Sequence, residues 1–209
     1  MDEMPRFTDL PHIPPPEMPA EPRLEIKIEG EPIAVVNAAD LEALNPRDHR
    51  AHFHCVTTWT VTGLLWTGVP LHEVLAAVGI TAPPATFLVA RTGDRRKAVF
   101  LWEDAVAPNV ILATHRNGAV LDDRHGAPLR LVSPSQYGYK SVKHVVAIDF
   151  RADRPRLGSK EHLRARVALQ ERHPRLPSWL VKLPYRLLIP PTAYLAEWTL
   201  RRHRIHKGG

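Results

Sequence analysis

Cys55 is the single cysteine of this 209-residue chain. A thiol with no second cysteine to pair with serves as a packed side chain, a nucleophile or a metal ligand. It closes the run Phe53-His54-Cys55 and is followed by Val56-Thr57-Thr58-Trp59, then by Trp66-Thr67-Gly68-Val69-Pro70-Leu71. His49, His52 and His54 stand close enough in sequence to raise zinc as one reading, since histidine and cysteine are its usual ligands. An extended segment over Arg50 to Cys55 puts His52 and His54 on one face and Phe53 and Cys55 on the other. The thiol is then directed away from both imidazoles. A second stretch, Arg124 to Lys143, mixes glycines, prolines and hydroxyls with Arg130, Lys140 and Lys143. Backbone N–H groups and cationic side chains in such a segment are suited to holding a phosphate. The other reading of it is two strands joined by a loop with surface lysines. Glu103-Asp104 and Asp122-Asp123 are adjacent carboxylates of the kind that turns leave solvated, and no acid–base role is assigned to them.

The elements that must position these groups are short and mostly strands. Leu24 to Glu29 alternates apolar and charged residues, the period of a half-buried strand, and Gly30-Glu31-Pro32 reads as the turn that ends it. Asn37 caps a short helix carrying Leu41 and Leu44. Leu71, Val74, Leu75 and Val78 recur at helical spacing between Pro70 and the terminator Gly79. Apolar runs at Phe87 to Ala90, Ala98 to Leu101, Val110 to Thr114, Leu129 to Val132 and Val145 to Phe150 read as strands. Thr92-Gly93-Asp94 and Asn117-Gly118 mark turns between them, the latter a strong hairpin signal. The expected fold class is a strand-rich α+β domain spanning residues 23–150.

The ends differ from this core. Residues 1–22 form a Pro-rich arm, with Pro11, Pro14, Pro15, Pro16, Pro19 and Pro22 favouring extended polyproline conformation. Residues 151–209 are a basic C-terminal extension with short helices, one charged over Ser159 to about Arg172 and one near Tyr194 to Leu200. The formal charge of +6 suits an anionic partner, whether nucleic acid, a membrane surface or a phosphate-bearing cofactor. Sign alone does not choose among them. The apolar and basic residues from Leu176 to His206 suit packing over the domain, a homodimer contact or an anionic membrane surface, with packing or self-association favoured. No apolar run reaches the roughly 18 residues of a transmembrane segment. The start, Met1-Asp2-Glu3-Met4-Pro5, shows no export signal, so a cytoplasmic location is expected.

Taken together, the Cys55 stretch, Ala113 to Leu121, and His125-Gly126-Ala127-Pro128-Leu129-Arg130 running into Tyr137 to Lys143 resemble the molybdopterin-binding domain of the sulfite oxidase family of molybdenum oxidoreductases. The resemblance covers roughly Arg23 to Phe150 and is closest to single-domain bacterial members. It implies a molybdenum-molybdopterin cofactor, with Cys55 as the thiolate on the metal and hence the catalytic position. It places His125, Arg130 and Ser141-Val142-Lys143 on the pterin and its phosphate, with Thr92 as a further contact. The implied activity is oxygen-atom transfer coupled to two-electron transfer. The implied partners are a small-molecule or sulfoxide-type substrate and a separate electron-transfer partner, with no nucleic acid. About sixty residues follow Phe150, too few for the dimerisation domain of sulfite-oxidising members. The rival reading is a cofactor-free module that recognises an acidic partner through its basic C-terminal surface.

Overall fold

The computed structural model describes residues 17–158 and 161–207. Most of the Pro-rich arm, residues 1–16, lies outside the described residues. Among the described residues, ten strands form two five-stranded sheets. The first has the order β2 (Glu31–Asn37), β1 (Arg23–Ile28), β10 (Val145–Arg151), β5 (Phe87–Thr92) and β6 (Lys97–Leu101). The second runs β3 (Arg47–His54), β4 (Thr60–Pro70), β7 (Ile111–Arg116) and β8 (Ala119–Val120), with β9 (Arg130–Val132) also paired to β7. Only β1 and β10 pair in parallel, with Ile26 opposite Ile148, which joins the two ends of the domain in one sheet.

Local chemistry accounts for most of these elements. Helix α1 (Ala38–Ala43) starts at a capping box in which the Asn37 side chain accepts from Asp40 N and Asp40 returns the bond to Asn37 N. Helix α2 (Leu71–Ala77) buries Leu71, Val74 and Leu75 and ends before Gly79, whose φ of +82° a side chain would resist. Pro70 sits just ahead of it, as the last residue of β4, and a one-turn helix α3 (Trp102–Ala105) follows β6. The turn Asn117-Gly118 has positive φ at both residues, as a two-residue hairpin demands. The main core gathers Leu24, Ile26, Leu71, Leu75, Leu112, Ile148 and Phe150 between the sheets and α2. A second cluster of Phe53, Leu64, Trp66, Ile111 and Val132 lies beside it.

One element expected as a turn is a strand. Glu31-Pro32 opens β2, which tolerates a proline because it is an edge strand with no ladder bond required on its outer side. The turn is instead Glu29-Gly30, both at positive φ. In β4, Gly68 lies so close to β7 that an added Cβ would sit 2.2 Å from Leu112 O.

The C-terminal extension departs most from expectation. No helix forms over residues 161–172. That segment is drawn into tertiary bonds instead: Tyr137 N donates to Ala165 O at 2.9 Å, Val167 N to Ser135 O at 2.9 Å, and Arg166 Nε to Asp104 Oδ1 at 2.8 Å. Leu157 and Leu163 pack on Phe87, Val89 and Val99 of β5 and β6. In place of short helices there is a single 30-residue helix, α4 (Ser178–Lys207), running through Pro184, Pro190 and Pro191. Each proline deprives the carbonyl four residues earlier of its donor, here Leu180, Arg186 and Leu187. All of these are exposed, so water can replace the lost bonds. Nor does α4 pack over the domain along its length: among its described side chains only Val181 is buried.

Candidate functional site

Cys55 follows the last residue of β3 and opens a tight turn. Its N–H donates to Trp59 O at 2.9 Å and its carbonyl accepts from Thr58 N at 3.1 Å, with Thr58 at φ +83°. The thiol is half-buried and its Sγ lies 3.0 Å from Thr57 Oγ1. Burial pushes its pKa up, only partly offset by hydrogen bonds from Thr57 and by the Arg172 cation. Left to itself the thiol is protonated at neutral pH, which suits a ligand whose proton a metal displaces better than a free nucleophile. The histidines face elsewhere. His52 Nδ1 accepts from Gly63 N at 3.2 Å and His54 Nδ1 pairs with Thr60 Oγ1 at 3.0 Å. Among the described residues no cluster of three or more His, Cys, Asp or Glu side chains is arranged to hold a metal ion.

The turn is tied to Arg130 through aromatic rings. Phe53 stacks on Trp59 at 5.8 Å, and Gly138 lies on the Phe53 ring so closely that an added Cβ would sit 2.1 Å from Cζ. The buried guanidinium of Arg130 stands 4.9 Å over the Trp66 ring and 5.9 Å over Phe53. Its Nη1 donates to His125 O at 2.9 Å. His125 in turn is held on both nitrogens. Arg116 Nη1 lies 2.8 Å from Nε2, so Nε2 accepts and Nδ1–H donates to Asp122 Oδ1 at 2.6 Å. Burial, aided by Arg116, keeps the His125 pKa below its ordinary value and the ring neutral.

Backbone contacts bring the remaining positions into one cradle. Gly93 N donates to His144 O at 2.8 Å and His144 N to Gly126 O at 3.2 Å. The loops of Thr92, His125-Gly126 and Val142-Lys143 therefore adjoin. Gly126 has φ +106°, and an added Cβ would meet Lys143 Cβ at 2.7 Å. Thr92 Oγ1 donates to Arg96 O at 2.9 Å, Ser141 Oγ accepts from Ser133 N at 3.0 Å, and Val142 contributes its carbonyl to Leu131 N at 3.0 Å. Lys143 Nζ donates to Arg124 O. A concavity of about 290 Å³ beside Thr92 is lined by Lys27, Arg91, Arg95, Arg96 and Lys97 together with Glu25.

One cation counted toward the anion site is not part of it. Lys140 is buried, and its Nζ donates to Val99 O and to Leu163 O, the latter at 2.6 Å, while standing 5.0 Å over the Phe100 ring. It pins the extension to β6, with two of its three N–H donors taken by backbone carbonyls and the group buried against Phe100. Conversely, no sequence signal pointed to Arg172. Its Nη1 reaches back to Val56 O at 2.7 Å and its guanidinium lies 4.8 Å over the Tyr137 ring. Arg172 Nε, Tyr137 OH and Trp59 Nε1 are all buried with no protein partner among the described residues. Buried donors call for acceptors, and three of them on residues tied to the Cys55 turn or to one another fit an oxygen-rich or anionic group there. The residues present thus fit a metal-bearing anionic cofactor.

Comparison with known proteins agrees. Residues 12–157 match the family described as "Oxidoreductase molybdopterin binding domain". The protein-methionine-sulfoxide reductase catalytic subunit MsrP of Xanthomonas campestris pv. campestris is 33% identical over 126 residues, which is 53% of this chain and 38% of that one. MsrP of Xanthomonas axonopodis pv. citri gives the same figures, 33% identity over 126 residues. The chain therefore matches about two fifths of the length of these relatives. The crystal structure of the sulfane dehydrogenase SoxCD from Paracoccus pantotrophus superposes with a TM-score of 0.54 at 25% identity, covering 63% of this chain and 38% of that one.

Proposed function

The chain belongs to the oxidoreductase molybdopterin-binding domain family, and from that premise we propose that Cys55 is its molybdenum ligand and that the site reduces a sulfoxide-type substrate. The observation that carries the reading is the half-buried Cys55 thiol together with the buried donors Arg172 Nε, Tyr137 OH and Trp59 Nε1, which have no partner among the described residues. Cys55 would lose its proton on coordination. Arg130, fixed by Trp66, Phe53 and His125 O, would present its charge to the pterin. His125, kept neutral and in one tautomer by Asp122 and Arg116, would present a fixed ring to the same group. Lys143 and the backbone around Gly126 would hold the phosphate end, with Ser141, Val142 and Thr92 shaping the wall. The molybdenum cofactor, when bound, supplies oxygen-atom exchange coupled to two-electron transfer.

The substrate class is supported by the names of the relatives, a methionine sulfoxide reductase and a sulfane dehydrogenase, both of which concern sulfur. For a sulfoxide the S–O bond breaks, the sulfur gains two electrons from a separate electron-transfer partner, and the oxygen leaves as water with two protons. Arg172 and Tyr137 would donate to the sulfoxide oxygen and so favour the charge that grows on it. The test is reduction of methionine sulfoxide and dimethyl sulfoxide by cofactor-loaded protein with a reduced viologen as electron donor. The reading expects viologen oxidation that is absent in Cys55→Ala. Loaded protein that oxidises sulfite or a sulfane with an artificial acceptor but reduces neither sulfoxide would overturn the substrate class.

A further inference from the structure

Helix α4 carries an exposed apolar stripe. At 3.6 residues per turn, Trp179, Leu183, Leu187, Tyr194 and Trp198 share an arc of about 100°. Their exposures, 75%, 65%, 68%, 71% and 44%, would be costly for a stripe of large apolar side chains left in water. On the opposite side Val181 is buried and Tyr185 and Ile189 are half-buried, so the helix is seated on that side and the stripe points outward. The helix sequence carries six Lys or Arg, Lys182, Arg186, Arg201, Arg202, Arg204 and Lys207, against one acid, Glu197. Lys182 and Arg186 are both exposed beside the stripe. Among the described residues no helix is long and apolar enough to cross a membrane.

We propose that α4 lies in the headgroup region of an anionic lipid surface, with the Trp179-to-Trp198 stripe inserted and Lys182 and Arg186 on the lipid phosphates. Tryptophan and tyrosine favour this boundary because each has an apolar body and a polar tip. Charge complementarity selects lipid over a second copy of the chain. Pairing two such helices would bring two strongly cationic segments together, and the cores of protein interfaces are depleted of charge. An anionic bilayer instead accepts the apolar stripe and the cations at once.

The test is co-sedimentation of the full chain with vesicles of phosphatidylcholine alone or mixed with phosphatidylglycerol, at low and high salt, with sedimentation equilibrium of the free protein alongside. Lys182 and Arg186 alone predict about thirtyfold tighter binding to the anionic vesicles, weakened by salt. Lys182→Glu with Arg186→Glu removes that preference. Leu183→Ser with Leu187→Ser removes binding to both kinds of vesicle. These side chains are exposed, so unchanged circular dichroism confirms that the variants fold. Failure to bind anionic vesicles, or equal binding to both kinds, overturns the proposal. A concentration-dependent dimer that Leu183→Ser with Leu187→Ser abolishes would assign the stripe to self-association instead.

Discussion

Replacing Lys140 with methionine tests how the extension is held in place. The stem is conserved and only the ammonium group is lost. At neutral pH two effects oppose each other. Val99 O and Leu163 O lose their donor, at about 1–3 kcal/mol each if left buried without one. Against this, burial lowers the Lys140 pKa from the ordinary 10.5 to about 8, so keeping the side chain charged costs about 3 kcal/mol, which the variant no longer bears. The net effect at pH 7 should therefore lie between a gain of about 1 and a loss of about 3 kcal/mol. The pH dependence is sharper. Because the folded pKa lies below the unfolded one, the unfolded chain binds more protons between pH 8 and 10.5, and this group adds stability as pH rises through that window. Wild type should gain up to about 3 kcal/mol over Lys140→Met between pH 7 and 10.5. Urea unfolding followed by tryptophan fluorescence at both pH values measures the gap. A difference that stays constant with pH would refute the buried, titrating lysine and with it the anchoring role.

Other perturbations probe the site more directly. Arg172→Leu removes the bond to Val56 O and the contact with Tyr137; stability should fall by about 1–3 kcal/mol, and sulfoxide reduction should fall at least about tenfold with molybdenum content retained. Gly126→Ala forces a side chain onto φ +106° and into Lys143 Cβ at 2.7 Å; it should cost about 1–3 kcal/mol and lower the pterin content of purified protein, read by oxidised-pterin fluorescence. His49, His54 and His125 all have pKa values held below the ordinary 6.5, by burial first in each case. The unfolded chain therefore takes up protons before the folded one on acidification, and stability should fall as pH drops below 6.5. A lower urea midpoint at pH 5.5 than at 7.5, with a smaller drop in His125→Gln, checks this.

What the sequence revealed followed the reach of local physics. The Asn37 capping box, the α2 face and Gly79, the Asn117-Gly118 hairpin and strands β5, β6, β7, β9 and β10 all rest on short-range patterns, and they appear where those patterns put them. The misses have the opposite origin. Pro32 reads as a turn until β2 is known to be an edge strand. The charge-rich segment after Ser159 has helical composition, but bonds from Tyr137, Ser135 and Asp104 claim its backbone and side chains. Lys140 in a Gly- and Ser-rich segment looks the same in sequence whether it points outward to a phosphate or inward to Val99 O. Arg172 meets Val56 only because the extension folds back, a contact with no local signature. The order and spacing of the stretches around Cys55 and His125 did carry the family, and the match over residues 12–157 includes both.

The central claim, that Cys55 holds molybdenum in this site, is tested most directly by metal and pterin analysis of wild type and Cys55→Ala purified in parallel from a host that loads other molybdoenzymes. The account predicts near-stoichiometric molybdenum and pterin in wild type, and loss of most molybdenum from a Cys55→Ala protein that still folds. Folded wild type with neither component, or Cys55→Ala with molybdenum undiminished, would contradict it.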